Sequence, residues 1–357
     1  MRISHILTAT ILLAAMLMAG ACDSGPGPDG GDGINSDIVQ VKDCCGDLDK
    51  IAETYFMAAW RNDGIFSTSP IRKLTMGPNF KVRNIKETYW NEIRDELSDY
   101  FGFGSYLGVN QAGTKLLIVK TKNGAVSMGA LYEYKLASSE LRLLRDSTYN
   151  ISSAVHWPGS SGTKLVYYSY GQPIGEGAGY YLLNTQTGAD SLLLEHFSPT
   201  GPDEMLNGFD LSPDGRTLLV PNVRATSSQA RPPQIVAYDL QAQTADTLAV
   251  DFTGERGRIG LWLRYSPDGS QILYSNFPEG VYTSRVSGPS EVGLIEMPEE
   301  EKQVLDVNTN PDGSSVQLAP TWSPDGQHIL YGSAPGPAEE PPGAKGDFSL
   351  YVLKNVN

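Results

Sequence analysis

The segment Trp322–Tyr331 reads Trp-Ser-Pro-Asp-Gly-Gln-His-Ile-Leu-Tyr and is the most complete copy of a unit that recurs along the chain. Exact Ser-Pro-Asp-Gly copies stand at Ser212–Gly215, Ser266–Gly269 and Ser323–Gly326, and degenerate copies at Asn110–Gly113 and Gly159–Gly162. Their last glycines are 49, 53, 54 and 57 residues apart. A period of roughly 40–55 residues with strand–turn–strand content is typical of propeller blades.

Each unit has the composition of a tight hairpin turn followed by a buried strand. Proline presets φ for a type I turn, aspartate hydrogen-bonds its own backbone, and glycine takes the left-handed position that closes a short hairpin loop. An apolar run without clean alternation follows each glycine, as in Ile272–Tyr274 and Ile329–Tyr331. Such runs favour strands buried on both faces, as the inner strands of stacked blades are.

This unit resembles the TolB-type propeller repeat, in which Trp-Ser-Pro-Asp-Gly precedes an apolar strand, and the resemblance covers residues 37–357. It implies an all-β fold, a β-propeller. Counting a first blade together with the five glycine-marked units gives a six-bladed β-propeller, with five or seven blades as alternatives. The resemblance implies little about function, because one fold hosts many unrelated activities.

The first blade and the closure of the ring are predicted from residues outside the repeat. Strands two to four of a first blade are expected at Thr54–Trp60, Gly64–Thr68 and Ile71–Thr75. The last unit ends after its third strand, so Ile38–Val41 is expected to supply the fourth and close the ring, which removes an open edge.

Residues 84–101 depart from the repeat and predict a helical insertion. Ile85, Tyr89, Ile93 and Leu97 recur every four residues, which is the spacing of an amphipathic helix. Asn84 with Glu87 is a plausible N-cap pair. Packing on the propeller is expected, and a partner-binding helix is the alternative.

The N-terminus predicts export and lipid anchoring. Residues 1–21 have the charge and short apolar core of a signal peptide, and small residues before Cys22 resemble the bacterial lipobox. Cys22 would then be the lipidated mature N-terminus, residues 22–36 a flexible Gly/Asp-rich tether, and the location the cell envelope, periplasmic or at the outer membrane. The alternative is cleavage after Ala21 to release a soluble protein. The adjacent Cys44 and Cys45 are interpreted as structural, with a redox or metal role as the alternative.

Composition restricts the partners of the chain. The net charge is −14, and no basic stripe is visible in the linear sequence. Nucleic-acid binding is therefore not expected, since it requires neutralisation of phosphates. A monomer that contacts the membrane only through its lipid is predicted, with an envelope protein or a glycan as partner.

No catalytic constellation is found in the sequence. The histidines, His5, His156, His196 and His328, do not have the spacing of a three-ligand metal site, and the G-x-S-x-G and HExxH motifs are missing. We therefore expect no catalytic residue, no metal and no cofactor. The leading hypothesis is a non-enzymatic protein- or glycan-binding scaffold. The alternative is a propeller hydrolase or lyase with a carboxylate or metal site at the central channel.

Long connections predict the location of a binding site. The repeated turn joins the first and second strands of a blade, so connections between strands two and three, and between blades, emerge at the opposite rim. The expanded ones are Tyr170–Ala178, Pro199–Asn207, Asn222–Pro233, Gly254–Gly260, Glu299–Gly313 and Pro335–Asp347. Four arginines within them are the candidate partner contacts: Arg224, Arg231, Arg256 and Arg258. Ordinary solvated arginines are the alternative.

Overall fold

The computed structural model of the chain describes only part of its residues, and every structural statement below concerns that part. The described residues are 35–43, 58–61, 64–67, 72–76, 80–86, 106–121, 129–171, 177–195, 208–222, 225–226, 229–230, 234–250, 252, 262–276, 291–309, 316–334 and 349–356.

The described chain is built almost entirely of strands. The first ten are β1 (Ile38–Gln40), β2 (Lys42–Asp43), β3 (Ala58–Arg61), β4 (Gly64–Ser67), β5 (Arg72–Met76), β6 (Lys81–Lys86), β7 (Tyr106–Val109), β8 (Lys115–Thr121), β9 (Gly129–Lys135) and β10 (Glu140–Arg145). The next ten are β11 (Ile151–His156), β12 (Lys164–Ser169), β13 (Gly179–Asn184), β14 (Asp190–Glu195), β15 (Asp210–Leu211), β16 (Thr217–Asn222), β17 (Ala225–Thr226), β18 (Gln229–Ala230), β19 (Gln234–Asp239) and β20 (Thr244–Thr247). The last seven are β21 (Trp262–Tyr265), β22 (Gln271–Asn276), β23 (Glu291–Glu296), β24 (Glu301–Val304), β25 (Val316–Trp322), β26 (Ile329–Ala334) and β27 (Ser349–Leu353).

The strands form the stacked sheets of a β-propeller. Four-stranded antiparallel sheets have the orders β10-β9-β8-β7, β11-β12-β13-β14, β15-β16-β19-β20, β21-β22-β23-β24 and β1-β27-β26-β25. A five-stranded sheet has the order β2-β6-β5-β4-β3, and β17 and β18 form a small ribbon. The first strand of each blade is innermost: β7 contacts β3 and β11, and β21 contacts β15 and β25.

Burial follows position within a blade. In β12, the second strand of its blade, the apolar residues Leu165 to Tyr168 are fully buried. In β20, an outermost strand, all four residues are exposed. The continuous apolar runs after the turn glycines are therefore strands packed on both faces, as the sequence predicts.

The N-terminal segment closes the ring, which confirms the prediction. β1 pairs antiparallel with β27, with Ile38 opposite Leu353 and Gln40 opposite Tyr351. The backbone N–H of the buried Val41 continues the ladder by donating to the carbonyl of Leu350 at 2.8 Å. Directly after Val41, β2 pairs in parallel with β6 of the five-stranded sheet. Residues 38–43 therefore bridge two sheets.

The predicted blade count is corrected. The structure has five regular four-stranded blades rather than six, and the remaining large sheet has five strands because β2 runs along β6. The first-blade prediction also needs revision: the segments expected as strands two to four correspond to β3, β4 and β5, and β3 is the innermost strand, in contact with β25 and β7.

The start of the predicted helix is wrong. Asn84 and Ile85 lie in β6, opposite Thr75 and Leu74 of β5. Pairing with β5 supplies backbone hydrogen bonds at these positions, so strand geometry prevails over the helical spacing. Residues 87–101 of the predicted insertion lie outside the described residues. Within the described ranges, the helical segment Ser147–Tyr149 is a short 3-10 turn with Asp146 as its N-cap.

Candidate functional site

The Ser-Pro-Asp-Gly turns share one hydrogen-bond pattern. In the turn at Ser212, the hydroxyl Oγ donates to Asp214 Oδ1 at 2.6 Å and accepts from the backbone N–H of Thr217 at 2.9 Å. Asp214 Oδ1 also accepts from the N–H of Arg216 at 3.0 Å. The turns at Ser266 and Ser323 repeat these contacts. Serine and aspartate are thus both needed to satisfy the turn backbone.

Turns of consecutive blades pack against each other and form what we call the turn rim. A Cβ at Gly215 would lie 2.6 Å from Nε1 of Trp157, which belongs to the preceding blade. Pro213 lies in the same way beside Gly269, and Pro267 beside Gly326. Residues of the turn rim are therefore engaged in packing between blades.

Polar side-chain contacts join the first two regular blades. Lys115 Nζ lies 3.0 Å from Oε2 of Glu133 and donates to the carbonyl of Gly162 in the next blade at 3.0 Å. The Glu133 side chain is 2% exposed. At the outer strands, Arg145 of β10 binds Asp190 of β14, with Nη2 to Oδ2 at 2.8 Å. The turn rim and the outer strands therefore fix adjacent blades.

The longer connections emerge at the other rim, which we call the open rim. The strand order requires this, because connections between second and third strands and between blades start where the tight turns do not. One of them, between β16 and β19, contains the β17–β18 ribbon, in which Ala225 pairs with Ala230. The prediction that Glu299–Gly313 joins two blades is partly wrong: Glu299 and Glu300 form the β23–β24 turn, and β24 begins at Glu301.

The sequence-predicted site residues lie outside the described residues. In the sequence, Arg224 directly precedes β17 and Arg231 directly follows β18. Arg256 and Arg258 precede β21. Cys22, Cys44 and Cys45 also fall outside the described part. The structure therefore does not test these residues, and their roles stay predictions.

The inner strands carry a polar group that the sequence reasoning missed. The guanidinium of Arg264 in β21 lies over the Trp262 ring, with 4.5 Å from Cζ to the ring centroid. Its Nη1 donates to the carbonyls of Leu263 at 2.7 Å and Phe209 at 3.2 Å. Asp210 Oδ2, on the neighbouring inner strand, accepts from the N–H of Tyr265 at 3.0 Å. A cation and an indole thus lie together on β21, and a carboxylate of the neighbouring inner strand accepts a hydrogen bond from the backbone of the same strand.

The surroundings of Tyr265 favour the protonated, neutral form of its phenol. Burial, followed by the charges of Asp210 and Asp214, raises the pKa of Tyr265 well above its usual value. Tyr265 is therefore a neutral hydrogen-bonding group at physiological pH and not a base. Arg264 is a permanent cation. The group can hold the inner strands together and can contact a polar ligand, but its described residues include no nucleophile paired with a base.

Comparison with solved structures identifies the fold. A putative TolB from Agrobacterium tumefaciens is similar over 84% of this chain and 89% of its own, with a TM-score of 0.50 and 15% identity. The chain has the fold of a TolB-like β-propeller. TolB from Acinetobacter baumannii is 16% identical, with a TM-score of 0.48 over 84% of this chain and 65% of its own. The TolB-type resemblance of the repeat is thus confirmed at the level of architecture.

The other comparisons do not indicate a function for this chain. An oligogalacturonate lyase in complex with manganese is similar over 84% of this chain and 76% of its own, at 12% identity and a TM-score of 0.49, too distant to indicate a shared activity. No family model matches the chain, and no curated protein does. The described residues contain no group of three or more His, Cys, Asp or Glu placed to hold a metal ion. No helix in the described ranges is long and apolar enough to cross a membrane.

The unusual position of Arg264 could have been recognised in the sequence. It interrupts the Trp262–Tyr265 segment just before an exact repeat turn. The first strand of a blade is covered on both sides, so a charged residue there is costly unless it has hydrogen-bond partners near the axis. His328, by comparison, lies at the turn rim and packs edge-on against Phe80 at 5.2 Å between ring centroids. It joins the last blade to the five-stranded sheet.

Proposed function

We propose that this TolB-like propeller is a non-enzymatic scaffold of the bacterial cell envelope that binds a protein or glycan partner through its open rim. The observation that carries the proposal is the contrast between the rims. The turn rim is occupied by contacts between blades, such as that of Trp157 with Gly215. The open rim carries the long connections, and rigid scaffolds present binding residues on such segments.

Arg224 and Arg231 are the proposed partner contacts. They flank the β17–β18 ribbon in sequence, and the ribbon is itself an added element of the open rim. In a chain of net charge −14, cations at this rim suit an acidic partner surface. Arg256 and Arg258, in the connection before β21, extend the same proposed surface.

We propose that Cys22 carries the lipid and that residues 22–36 tether the propeller. The position of β1 supports this arrangement. It is the outermost strand of its sheet, so the chain enters the propeller at the periphery, and the tether leaves both rims accessible.

The alternative, a hydrolase or lyase acting at the central channel, gains no support from the described inner strands. Asp210 is the single carboxylate on those strands as the structure describes them, and it accepts a backbone hydrogen bond. The distant likeness to the lyase does not favour this alternative over a scaffold.

The test is a pull-down from gently solubilised envelopes after crosslinking, read by mass spectrometry. The wild type is compared with an Arg224→Glu/Arg231→Glu variant and with a matched Lys164→Glu/Arg216→Glu variant on the turn rim. A stoichiometric partner lost only in the first variant is expected. Equal capture by all three proteins, or loss in the turn-rim variant alone, would contradict the proposed surface.

A further inference from the structure

One position of the repeat carries either an apolar residue or a tyrosine. The fifth residue after each turn glycine is, in chain order, Ile118, Tyr167, Val220, Tyr274 and Tyr331, and all five are buried. Ile118 and Val220 show that an apolar side chain is sufficient for packing at this position. A tyrosine hydroxyl buried there therefore needs a hydrogen-bond partner that packing alone does not supply.

Two of the three tyrosines find a carboxylate in their own blade. The hydroxyl of Tyr167 donates to Asp190 Oδ2 at 2.8 Å, and that of Tyr274 donates to Glu291 Oε1 at 2.5 Å. The hydroxyl of Tyr331, although buried, has no hydrogen-bond partner among the residues that the structure describes. Buried polar groups are hydrogen-bonded in the great majority of cases, so Tyr331 departs from the pattern of its own repeat.

Strand register explains the difference between Tyr274 and Tyr331. Glu291 begins β23, the third strand of its blade, and Ser349 begins the corresponding strand β27 of the last blade. Each of them is paired with the residue two positions after the tyrosine. The last blade thus has a shorter and uncharged side chain at the position where the preceding blade has the carboxylate that binds the tyrosine hydroxyl.

A second hydroxyl without a partner faces the same interface from the preceding blade. Ser275 is fully buried, and its Oγ has no hydrogen-bond partner in the described ranges. Leu273, two residues earlier in β22, belongs to the hydrophobic cluster that contains Tyr331. Alternate residues of a strand share a face, so Ser275 also faces the last blade. Two such hydroxyls therefore lie at the interface between the same two blades.

Further hydroxyl groups continue from Tyr331 toward the surface. Its register partner Tyr351 stacks on it, with 5.9 Å between ring centroids. Tyr351 is hydrogen-bonded to Thr309 and Ser349, and Thr309 Oγ1 lies 2.6 Å from Ser333 Oγ. Tyr351, Thr309 and Ser349 are half-buried. Because Thr309 belongs to the connection between two blades, this end of the interface lies at the open rim.

The chemistry of these side chains selects an uncharged ligand. We call the set the hydroxyl cluster, and its members are Ser275, Thr309, Tyr331, Ser333, Ser349 and Tyr351. Each hydroxyl can both donate and accept a hydrogen bond. Burial raises the pKa of Tyr331 and of Tyr351, so both phenols are neutral at physiological pH. Since the cluster itself carries no charge, it matches the hydroxyl groups of a neutral ligand better than an ion.

We propose that the hydroxyl cluster binds the end of an uncharged saccharide at the open rim. A sugar hydroxyl both donates and accepts, so it can serve as the partner of Tyr331 and of Ser275. The half-buried ring of Tyr351 can contact the C–H face of the sugar. This inference deepens the proposed function, on whose open-rim location it rests, by naming a ligand class and the residues that bind it.

The experiment measures saccharide binding by the full-length protein, purified in a detergent that contains no sugar. Saturation-transfer NMR titrations use maltose, cellobiose, lactose and N,N′-diacetylchitobiose, with glucuronate as the anionic comparison. Binding of at least one uncharged disaccharide is expected. Tyr331→Phe/Ser275→Ala should weaken it about tenfold, because two hydrogen bonds to the sugar are lost. Its Tm should not fall, because neither hydroxyl has a partner within the described chain.

Two further variants make the test specific. Ser349→Glu introduces the carboxylate that Glu291 supplies in the preceding blade, so it should bind the Tyr331 hydroxyl and weaken saccharide binding about tenfold without lowering the Tm. The matched control Tyr238→Phe/Ser191→Ala makes the same chemical change in other blades. It should alter saccharide binding by less than about twofold.

The other outcomes overturn the proposal. These are binding of none of the four disaccharides, preference for glucuronate, or equal weakening in Tyr331→Phe/Ser275→Ala and its control. Unchanged saccharide binding together with a lowered Tm of that variant would assign the two hydroxyls to contacts within the chain. The Arg224→Glu/Arg231→Glu variant should retain saccharide binding. Failure of the proposed arginine surface and failure of the hydroxyl cluster are therefore distinguishable.

Discussion

Lys115 and Glu133 form an ion pair, with 3.0 Å between Nζ and Oε2, in which the carboxylate is almost completely removed from water. The same ammonium group donates to the carbonyl of Gly162, in the turn of the next blade. One cation thus satisfies a buried carboxylate and joins two blades.

Removal of this cation leaves the carboxylate buried and unpaired. Lys115→Met is expected to lower the free energy of unfolding by about 3–5 kcal/mol, measured by urea denaturation. The double variant Lys115→Met/Glu133→Leu should recover most of that loss, because it removes both charges. A double variant as unstable as Lys115→Met would show that the lost contact with Gly162 dominates.

Packing at the turn rim predicts that alanine substitution lowers the folding stability by different amounts at two glycines of similar backbone conformation. Gly215 has φ +72° and the indole of Trp157 above it, whereas Gly188 has φ +74° and nothing within 4 Å of an added Cβ. Gly188→Ala should cost about 1–2 kcal/mol for backbone strain alone. Gly215→Ala should cost about 1–3 kcal/mol more, because the methyl group overlaps the indole. Thermal unfolding with matched heating rates measures both, and equal costs would contradict blade-to-blade packing at this turn.

The repeat turns predict part of the loss of folding stability at low pH. Hydrogen bonds from Ser212 and Ser266 lower the pKa of Asp214 and Asp268, respectively. A carboxyl whose folded pKa is depressed stabilises the fold above its unfolded pKa of about 3.9, and that contribution is lost as the pH falls through the folded value. Asp214→Asn/Asp268→Asn should therefore lose less stability between pH 5 and pH 3 than the wild type, measured by urea midpoints. An unchanged pH dependence would contradict this assignment.

Equivalent tyrosines in two blades predict opposite effects of hydroxyl removal. Tyr274 and Tyr331 each stand five residues after a turn glycine and are fully buried. The Tyr274 hydroxyl donates to Glu291 Oε1 at 2.5 Å, whereas the Tyr331 hydroxyl finds no hydrogen-bond partner within the described chain.

Tyr274→Phe should lower the free energy of unfolding by about 1.5–3 kcal/mol, since a bond to a charged acceptor is lost. Tyr331→Phe should leave it unchanged or raise it. Urea denaturation of the two variants side by side measures the difference. A loss at Tyr331 as large as that at Tyr274 would reveal a partner for its hydroxyl.

Much of the fold could be predicted from the sequence because its determinants are local. Ser212, Asp214 and Gly215 satisfy and close one turn without help from distant residues, and the same set recurs at a regular period. The closing strand was predictable from the missing fourth strand after Phe348–Leu353, and the pairing of Ile38 with Leu353 confirms it.

The errors arose where distant pairing decides the structure. The spacing of Ile85, Tyr89, Ile93 and Leu97 suits a helix, yet Ile85 lies opposite Leu74 in a sheet. The pairing of Lys42 with Lys81 could not be predicted for the same reason, because it arises only where β2 runs parallel to β6. Arg264 was missed because one of its partners, the Phe209 carbonyl, comes from another blade.

The most direct test of the scaffold account is a lysine-reactive crosslinking map of the protein with its partner in native envelopes. In the sequence, Lys122 directly follows β8 and Lys345 falls between β26 and β27, in connections that the proposal assigns to the open rim, whereas Lys135 and Lys164 stand at the turn rim. The account predicts partner crosslinks at Lys122 or Lys345 and none at Lys135 or Lys164. Crosslinks concentrated at Lys135 and Lys164 would contradict it, because the partner would then bind the rim occupied by blade-to-blade packing.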